Sequence, residues 1–304
     1  MKIKTQILME ACLNVLRKFG VPFPIAEKVV QDLINNDNQG YSSHGILRIP
    51  EYVEAIKQKN LIPNNKPQSQ KISDYSTAID GKKAFGALAK EQVISVLISH
   101  LKNQGFGFVS LVNSGHLGRL KNIGTSVSKE GGIVIGFSNF SGSGQNVPPC
   151  GGAEGRLATN PILFSVPSKI PLVLDISTTA VAEGKVREAS LNHEKVPEGW
   201  LIDKEWNSVT DPQKLYQKPQ EVFLSPLGGQ RFGHKRFGLA LITEILSGIL
   251  TGGGFSNPHP TFQGNSAFFI VFSRTIFGKP VAQFERDLRE LISYMVSMPT
   301  CKRI

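Results

Sequence analysis

The order of its apolar runs restricts what this chain can fold into more than any single residue does. From residue 76 to 140, "STAID" is short and β-like, "FGALAKEQVISVLISHLKNQ" has helical spacing, and "GFGFVSLV" reads as a strand. "RLKNIGTSVSKE" is then helical and "GGIVIGFSNF" is again strand-like. The interleaving returns downstream, with strands in "NPILFSV", "PLVLDIS" and "SAFFIVF" and helices in "TAVAEGKVREASL", "FGLALITEILSGILTGG" and "VAQFERDLRELISYMV". Ahead of it come two helices, "TQILMEACLNVLRKFG" closed by Gly20 and "PIAEKVVQDLINNDNQG" opened by Pro24, then a third through "PEYVEAIKQKN". This mixture predicts an α/β (mixed α+β) fold with its sheet covered on at least one face. A helical N-terminal segment (1–65) and an α/β body (66–304) form a single unit, because no repeat, low-complexity linker or sharp boundary divides them.

Composition narrows the class. With 304 residues, 40% hydrophobic and 19% charged, the chain can bury one large core or two smaller ones. No run approaches the ~18 apolar residues of a membrane span. Glu10 and Arg17 interrupt the apolar start, unlike a signal peptide, so a cytoplasmic protein with no membrane partner is expected. Cys12, Cys150 and Cys301 are odd in number and far apart, which offers neither a disulfide framework nor a C-x-x-C pair and suits a reducing compartment. The net charge of +10 is scattered among acids, so it predicts a field favouring small anions, not a nucleic-acid partner.

Several chemistries fail on the residues themselves. "SGSGQNV" supplies two glycines of G-x-G-x-x-G, but Val147, Pro148 and Pro149 follow where a helix should meet a pyrophosphate, so a loop is expected there. "EGKV" lacks the upstream glycine and the Ser/Thr of a P-loop, "GFSNF" lacks the last glycine of a nucleophile elbow, and no histidine pair has zinc spacing. Other stretches are richer. In "SSHGILRIPEY", Ser43 is a candidate N-cap, and on one helix His44, Arg48 and Tyr52 would share a face, provided Pro50 does not start a new one. His116 in "NSGHLGRL" lies just past a strand in a glycine turn, where α/β proteins place ligands and glycines let another molecule approach; a polar turn cap is the alternative. "GHKRFGLALITEIL" puts His234, Lys235 and Arg236 at the beginning of a helix, where cations oppose the macrodipole unless they help bind an anion. Asp175 could cap the next helix or meet a ligand hydroxyl.

Together, "YSSHGILRIPEYV", "NSGHLGRLKNIG", "VPPCGGAEGRLATNPILFSVP", "LDISTTAVAEGKV", "KVPEGWLID" and "GHKRFGLALITEILSGILTGG" resemble the malate/L-lactate dehydrogenase family of nicotinamide-dependent oxidoreductases, in that family's order from residue 41 to about 275. The resemblance implies a non-Rossmann dinucleotide-binding sheet, NAD or NADP as cofactor, a small 2-hydroxy or 2-oxo acid as substrate and a homodimer. It makes His116 and His44 the candidate proton carriers, and sets Arg48, with Ser43 and Tyr52, in the substrate pocket. Thr159, Asn160, Leu174, Asp175, Ile176, Ser177, His234 and Lys235 would line the cofactor. The roles fit the chemistry: oxidising a hydroxy acid needs a base for the hydroxyl proton, and histidine has a reference pKa of ~6.5, near the working pH; a guanidinium holds a carboxylate through two hydrogen bonds.

The chain departs from the family pattern at named places. Arg236 stands where a glycine usually follows the lysine, and "SNF" replaces "TNS" at 138–140, which shifts a ligand hydroxyl to Ser141; Cys150 also follows the prolines. By the resemblance, relatives continue past the position of "SMPTCKRI" through a segment with a Pro-Gly-Glu element that helps close over the cofactor, so a C-terminus shortened relative to the family is expected. An impaired relative acting as a binding or dimer partner is therefore the alternative to an active enzyme.

Overall fold

The computed structural model describes residues 4–142, 144–260 and 262–298. Helices α1 (Thr5–Lys18), α2 (Phe23–Asn38) and α3 (Ile49–Lys57) precede strands β1 (Gln68–Lys71) and β2 (Ser76–Asp80). Then follow α4 (Gly86–Gln104), β3 (Phe106–Ser114), α5 (Lys121–Lys129), β4 (Gly132–Phe140), β5 (Ile162–Val166), β6 (Leu172–Ile176) and α6 (Glu183–Leu191). Short strands β7 (Leu201–Asp203), β8 (Ser208–Val209) and β9 (Val222–Leu224) lead to α7 (Gly229–Glu244), β10 (Asn265–Ser273) and α8 (Val281–Val296).

The interleaved runs form a seven-stranded mixed sheet in the order β1-β2-β3-β10-β4-β5-β6, in which β2 and β3 are parallel across the α4 crossover and the remaining pairs are antiparallel. Alternation decides which face is covered. Val109, Leu111, Val134, Leu163, Phe269 and Val271 point to one side and close a core with Val93 and Leu97 of α4 and Ile123 and Val127 of α5. Phe108, Phe164, Leu172, Leu174 and Ile176 remain exposed. A second core joins α1, α2 and α3 to Phe85 and Leu88, and a third lies under the small sheet β8-β7-β9 with Val147, Val186 and Ala240.

Three local differences from the sequence reading have physical causes. His44, Arg48 and Tyr52 do not share one helix: two 3-10 turns, Ser42–His44 and Ile46–Arg48, precede α3, and Pro50 sits in the first turn of α3. The break falls at Gly45, where a Cβ would lie 1.8 Å from Asp37 Oδ1, and the Ile46 N–H donates to that carboxylate at 2.9 Å. Helix α7 begins at Gly229, so Lys235 lies more than one turn inside it and away from its free N–H groups, and α7 continues into a π-helical turn at Ile245–Ile249. The small sheet has strands of two and three residues, too short to carry a period in sequence. Residues 144–147 are irregular, as expected, and so is the stretch to 161, yet it is tied down by the bridge Val147↔Leu157 with Val147 fully buried. Cys12 is buried and Cys150 exposed, both free thiols, and Cys301 lies outside the described residues. Among the described residues, no helix is long and apolar enough to cross a membrane.

Candidate active site

The first and third cores both border a cavity of about 830 Å³, within the range of small-molecule sites. Its walls come from the 41–51 turns, the 116–121 turn, the 140–161 loop, the end of β6 and the start of α6. His116 reaches it because β3 ends at Ser114 and α5 begins only at Lys121. The flanking glycines serve different purposes. A Cβ on Gly115 would lie 2.8 Å from Ala84 O, so this glycine admits the chain's own backbone and not a ligand, a correction to the sequence reading. Gly118 borders the cavity with φ +66°, and a Cβ there would still be 3.9 Å from His116 Cε1.

The two histidines converge. Their rings stack with centroids 5.9 Å apart and planes 16° apart. His44 Nδ1 lies 3.0 Å from Ser43 Oγ, and His116 Nδ1 lies 3.3 Å from the Tyr52 hydroxyl. Burial, then the charges of Arg48, Arg119 and Lys90, push His44 down to about 3. Burial also holds His116 well below its usual range, helped by Arg48, His44 and Lys90. Both are therefore neutral near pH 7, the form a general base needs.

Arg48 borders the cavity, but much of its hydrogen-bonding capacity is already used. Its Nε donates to Ser43 O at 2.7 Å, Nη1 donates to Glu51 at 2.8 and 3.0 Å, and Glu183 Oε2 lies 3.6 Å away. Arg187 bonds the same two carboxylates, and Tyr216 donates to Glu183 at 2.9 Å. Only Arg48 Nη2 remains for a ligand. Arg119 is different: Nη1 meets neutral acceptors, Asn36 and Gln39, and its guanidinium lies 3.4 Å above the Tyr41 ring. Among the described residues Arg119 has no ion pair, and burial lowers its pKa. Lys90 is paired to Asp32 at 2.7 Å behind the histidines. Arg119, Glu51, Glu183 and Arg187 were not read from sequence; only Glu51, three residues after Arg48, and Arg187, four after Glu183, carried a spacing signal.

Of the residues the resemblance assigns to cofactor, Thr159, Asp175, Ile176 and Ser177 line the cavity. Asp175 caps a helix, but α5 instead of the next one, accepting the Lys121 N–H at 2.8 Å. Burial raises its pKa, opposed by that bond and by Arg119. The structure does not bring the others to the cavity. Tyr52 is buried against His116 and does not line it. Asn160 is buried and donates to Ala240 O at 3.0 Å and to Glu244 at 2.9 Å. Ser141 is buried against Gly264, Leu174 points off the open sheet face, and His234 and Lys235 are exposed on α7. Arg236 turns inward and donates from Nε to Thr178 O and from Nη2 to Ala158 O; its Nη1 has no partner and burial lowers it to about 10.

Among the described residues no cluster of three or more His, Cys, Asp or Glu could hold a metal ion. The family model described as malate/L-lactate dehydrogenase matches residues 3–303. The L-lactate dehydrogenase of Cupriavidus necator is 30% identical over 279 residues, 90% of this chain and 78% of that protein. Hydroxycarboxylate dehydrogenase B of Escherichia coli is 32% identical over 286 residues, 92% and 78% of the two chains. The structure of malate dehydrogenase from Pyrococcus horikoshii superposes with a TM-score of 0.83 at 29% identity, covering 100% of this chain and 84% of that one.

Proposed function

Because the chain belongs to the malate/L-lactate dehydrogenase family, we propose that it is a hydroxy-acid oxidoreductase acting on a CH–OH group, with NAD or NADP as cofactor and a small 2-hydroxy or 2-oxo acid as substrate. The observation that carries this reading is the pair of neutral histidines facing one cavity beside Arg48 and Arg119. A carboxylate reaching Arg48 Nη2 or Arg119 would place the adjacent carbon and oxygen near the imidazoles. Glu51, Glu183 and Arg187 hold the Arg48 fork in place, and its charge helps keep both histidines neutral. One histidine handles the hydroxyl proton and the other binds the same oxygen.

The chain's residues fit a nicotinamide dinucleotide. The cavity is large enough for an acid beside the nicotinamide end, and Thr159, Ser177 and Lys185 give its far wall donors for ribose and phosphate oxygens. When bound, the nicotinamide supplies or accepts the hydride. His234 and Lys235 remain candidates for a cofactor bound near a subunit boundary, since they lie on the face of α7 that exposes Phe232, Leu239, Ile242 and Ile249. That apolar face supports a homodimer. The shared cavity supports one catalytic unit built from residues 1–65 and 66–304, and the free, widely spaced thiols support a cytoplasmic location. An impaired relative finds no support among the relatives, which are named as dehydrogenases.

A panel of 2-oxo acids assayed against NADH and NADPH tests the function. Oxidation of one reduced cofactor with at least one acid is expected; absence of turnover across the panel with both cofactors would reject it.

A further inference from the structure

Each histidine has its Nδ1 beside a hydroxyl, but the two hydroxyls are not equivalent. Ser43 borders the cavity, so its O–H can donate to His44 Nδ1 or turn toward the cavity and accept from an Nδ1–H. Tyr52 is 8% exposed and does not border the cavity. Among the described residues, its hydroxyl has one hydrogen-bond partner, His116 Nδ1 at 3.3 Å. Burial raises the phenol's pKa, so it stays protonated at working pH. If His116 carried a proton on Nδ1, the Tyr52 O–H would be a buried donor with no acceptor, which is unfavourable.

We propose that Tyr52 is a positioning residue that donates to His116 Nδ1 and holds this ring as the neutral Nε2–H tautomer, so that His116 offers a hydrogen-bond donor to the substrate oxygen while His44 carries the proton. This rests on the functional reading above and settles which histidine does which work. In the oxidation direction the substrate O–H bond breaks with its proton passing to His44 Nε2, and its electron pair becomes the C=O π bond. With a nicotinamide dinucleotide bound, the adjacent C–H pair would leave as hydride, which that ring would accept. His116 keeps its proton throughout, since losing it would leave an imidazolate. A neutral histidine can stabilise a carbonyl or alkoxide oxygen in this way when its site disfavours the imidazolium. His44 Nε2 can accept because the ring's other proton sits on Nδ1 and is donated to Ser43 Oγ before and after the transfer, while the Ser43 O–H turns toward the cavity.

Nitrogen-15 NMR of the full, uniformly labelled chain at pH 7.5 reads the tautomer without turnover. The expected spectrum shows His116 protonated at Nε2 and bare at Nδ1, and Tyr52→Phe converts it to a tautomer mixture. In the assay, His116→Gln, whose amide N–H reaches toward the Nε2 position, is expected to retain kcat within about tenfold. His44→Gln should lose at least ~10²-fold, the lower end for loss of general acid–base catalysis. A proton on His116 Nδ1, or a His116→Gln loss as deep as that of His44→Gln, would overturn the proposal. If no acid in the panel is turned over, the functional reading and the proton-carrier role fail together. A protonated Nδ1 with normal turnover sinks the tautomer assignment alone.

Discussion

A histidine neutral at low pH leaves a signature in both stability and rate. His44 is pushed down to about 3 and His116 is also held low, against 6.5 for a free imidazole. Between those values the unfolded chain binds protons that the folded chain refuses, so stability rises with pH across this window. Their contribution is intact above about pH 6.5 and is lost progressively as pH falls toward 3. Urea midpoints at pH 7.5 and 5 should therefore show a loss at the lower pH that shrinks in His44→Gln; an unchanged loss in that variant would contradict the burial. For the same reason, kcat/KM for hydroxy-acid oxidation should stay level below pH 6.5, without the inflection of an unperturbed histidine.

The elements around the cavity are held by close approaches that sequence patterns do not display. Helix α6 lies against the 42–48 turns because Gly184 has no side chain: a Cβ there would fall 2.6 Å from Arg48 Nη2 and 2.7 Å from Ser43 Cβ. Gly184→Ala should cost about 1–3 kcal/mol by overpacking and raise KM for the acid, because Arg48 Nη2 must shift. A thermal melt and a substrate titration check both parts, and an unchanged KM would show that Arg48 Nη2 does not meet substrate. Buried Glu244 on α7 similarly accepts from Asn139 at 2.8 Å and from Asn160 at 2.9 Å, tying the helix to β4 and to the loop before β5. Asn160 therefore helps shape the cavity wall without touching its contents.

At the scale of the whole molecule, the apolar surface is uneven. One face of the large sheet is closed by α4 and α5, while Phe232, Leu239, Leu241, Ile242, Ile245 and Ile249 are exposed along α7 and its π turn. A surface of this kind marks an interaction site, and in the proposed homodimer it is the contact. Light scattering after gel filtration should give twice the 33.2 kDa of one chain. Ile242→Asp, which places a charge in that row, should shift the mass toward the monomer with little change in the far-UV spectrum. A dimer unaffected by Ile242→Asp would place the interface elsewhere.

Local order was legible in the chain because it is written in short-range periods. The runs at 76–140, the strands at 162–166 and 172–176 and the long helices appear where apolar spacing puts them, and the motifs around His44 and His116 point to the family. Long-range neighbours are not written that way. That Tyr52 meets His116 across 64 residues, Asp175 caps α5 across 54, and Arg48 shares carboxylates with Arg187 follows only when the sheet sets β6, α6 and the 42–48 turns around one cavity. Hence the sequence by itself determined the long helices and the longer strands and the kinds of residue the chemistry needs, but not the two- and three-residue strands or the break at Gly45. The tertiary structure decided which of them face the substrate, because hydrogen bonds and ion pairs depend on separations in space, not along the chain.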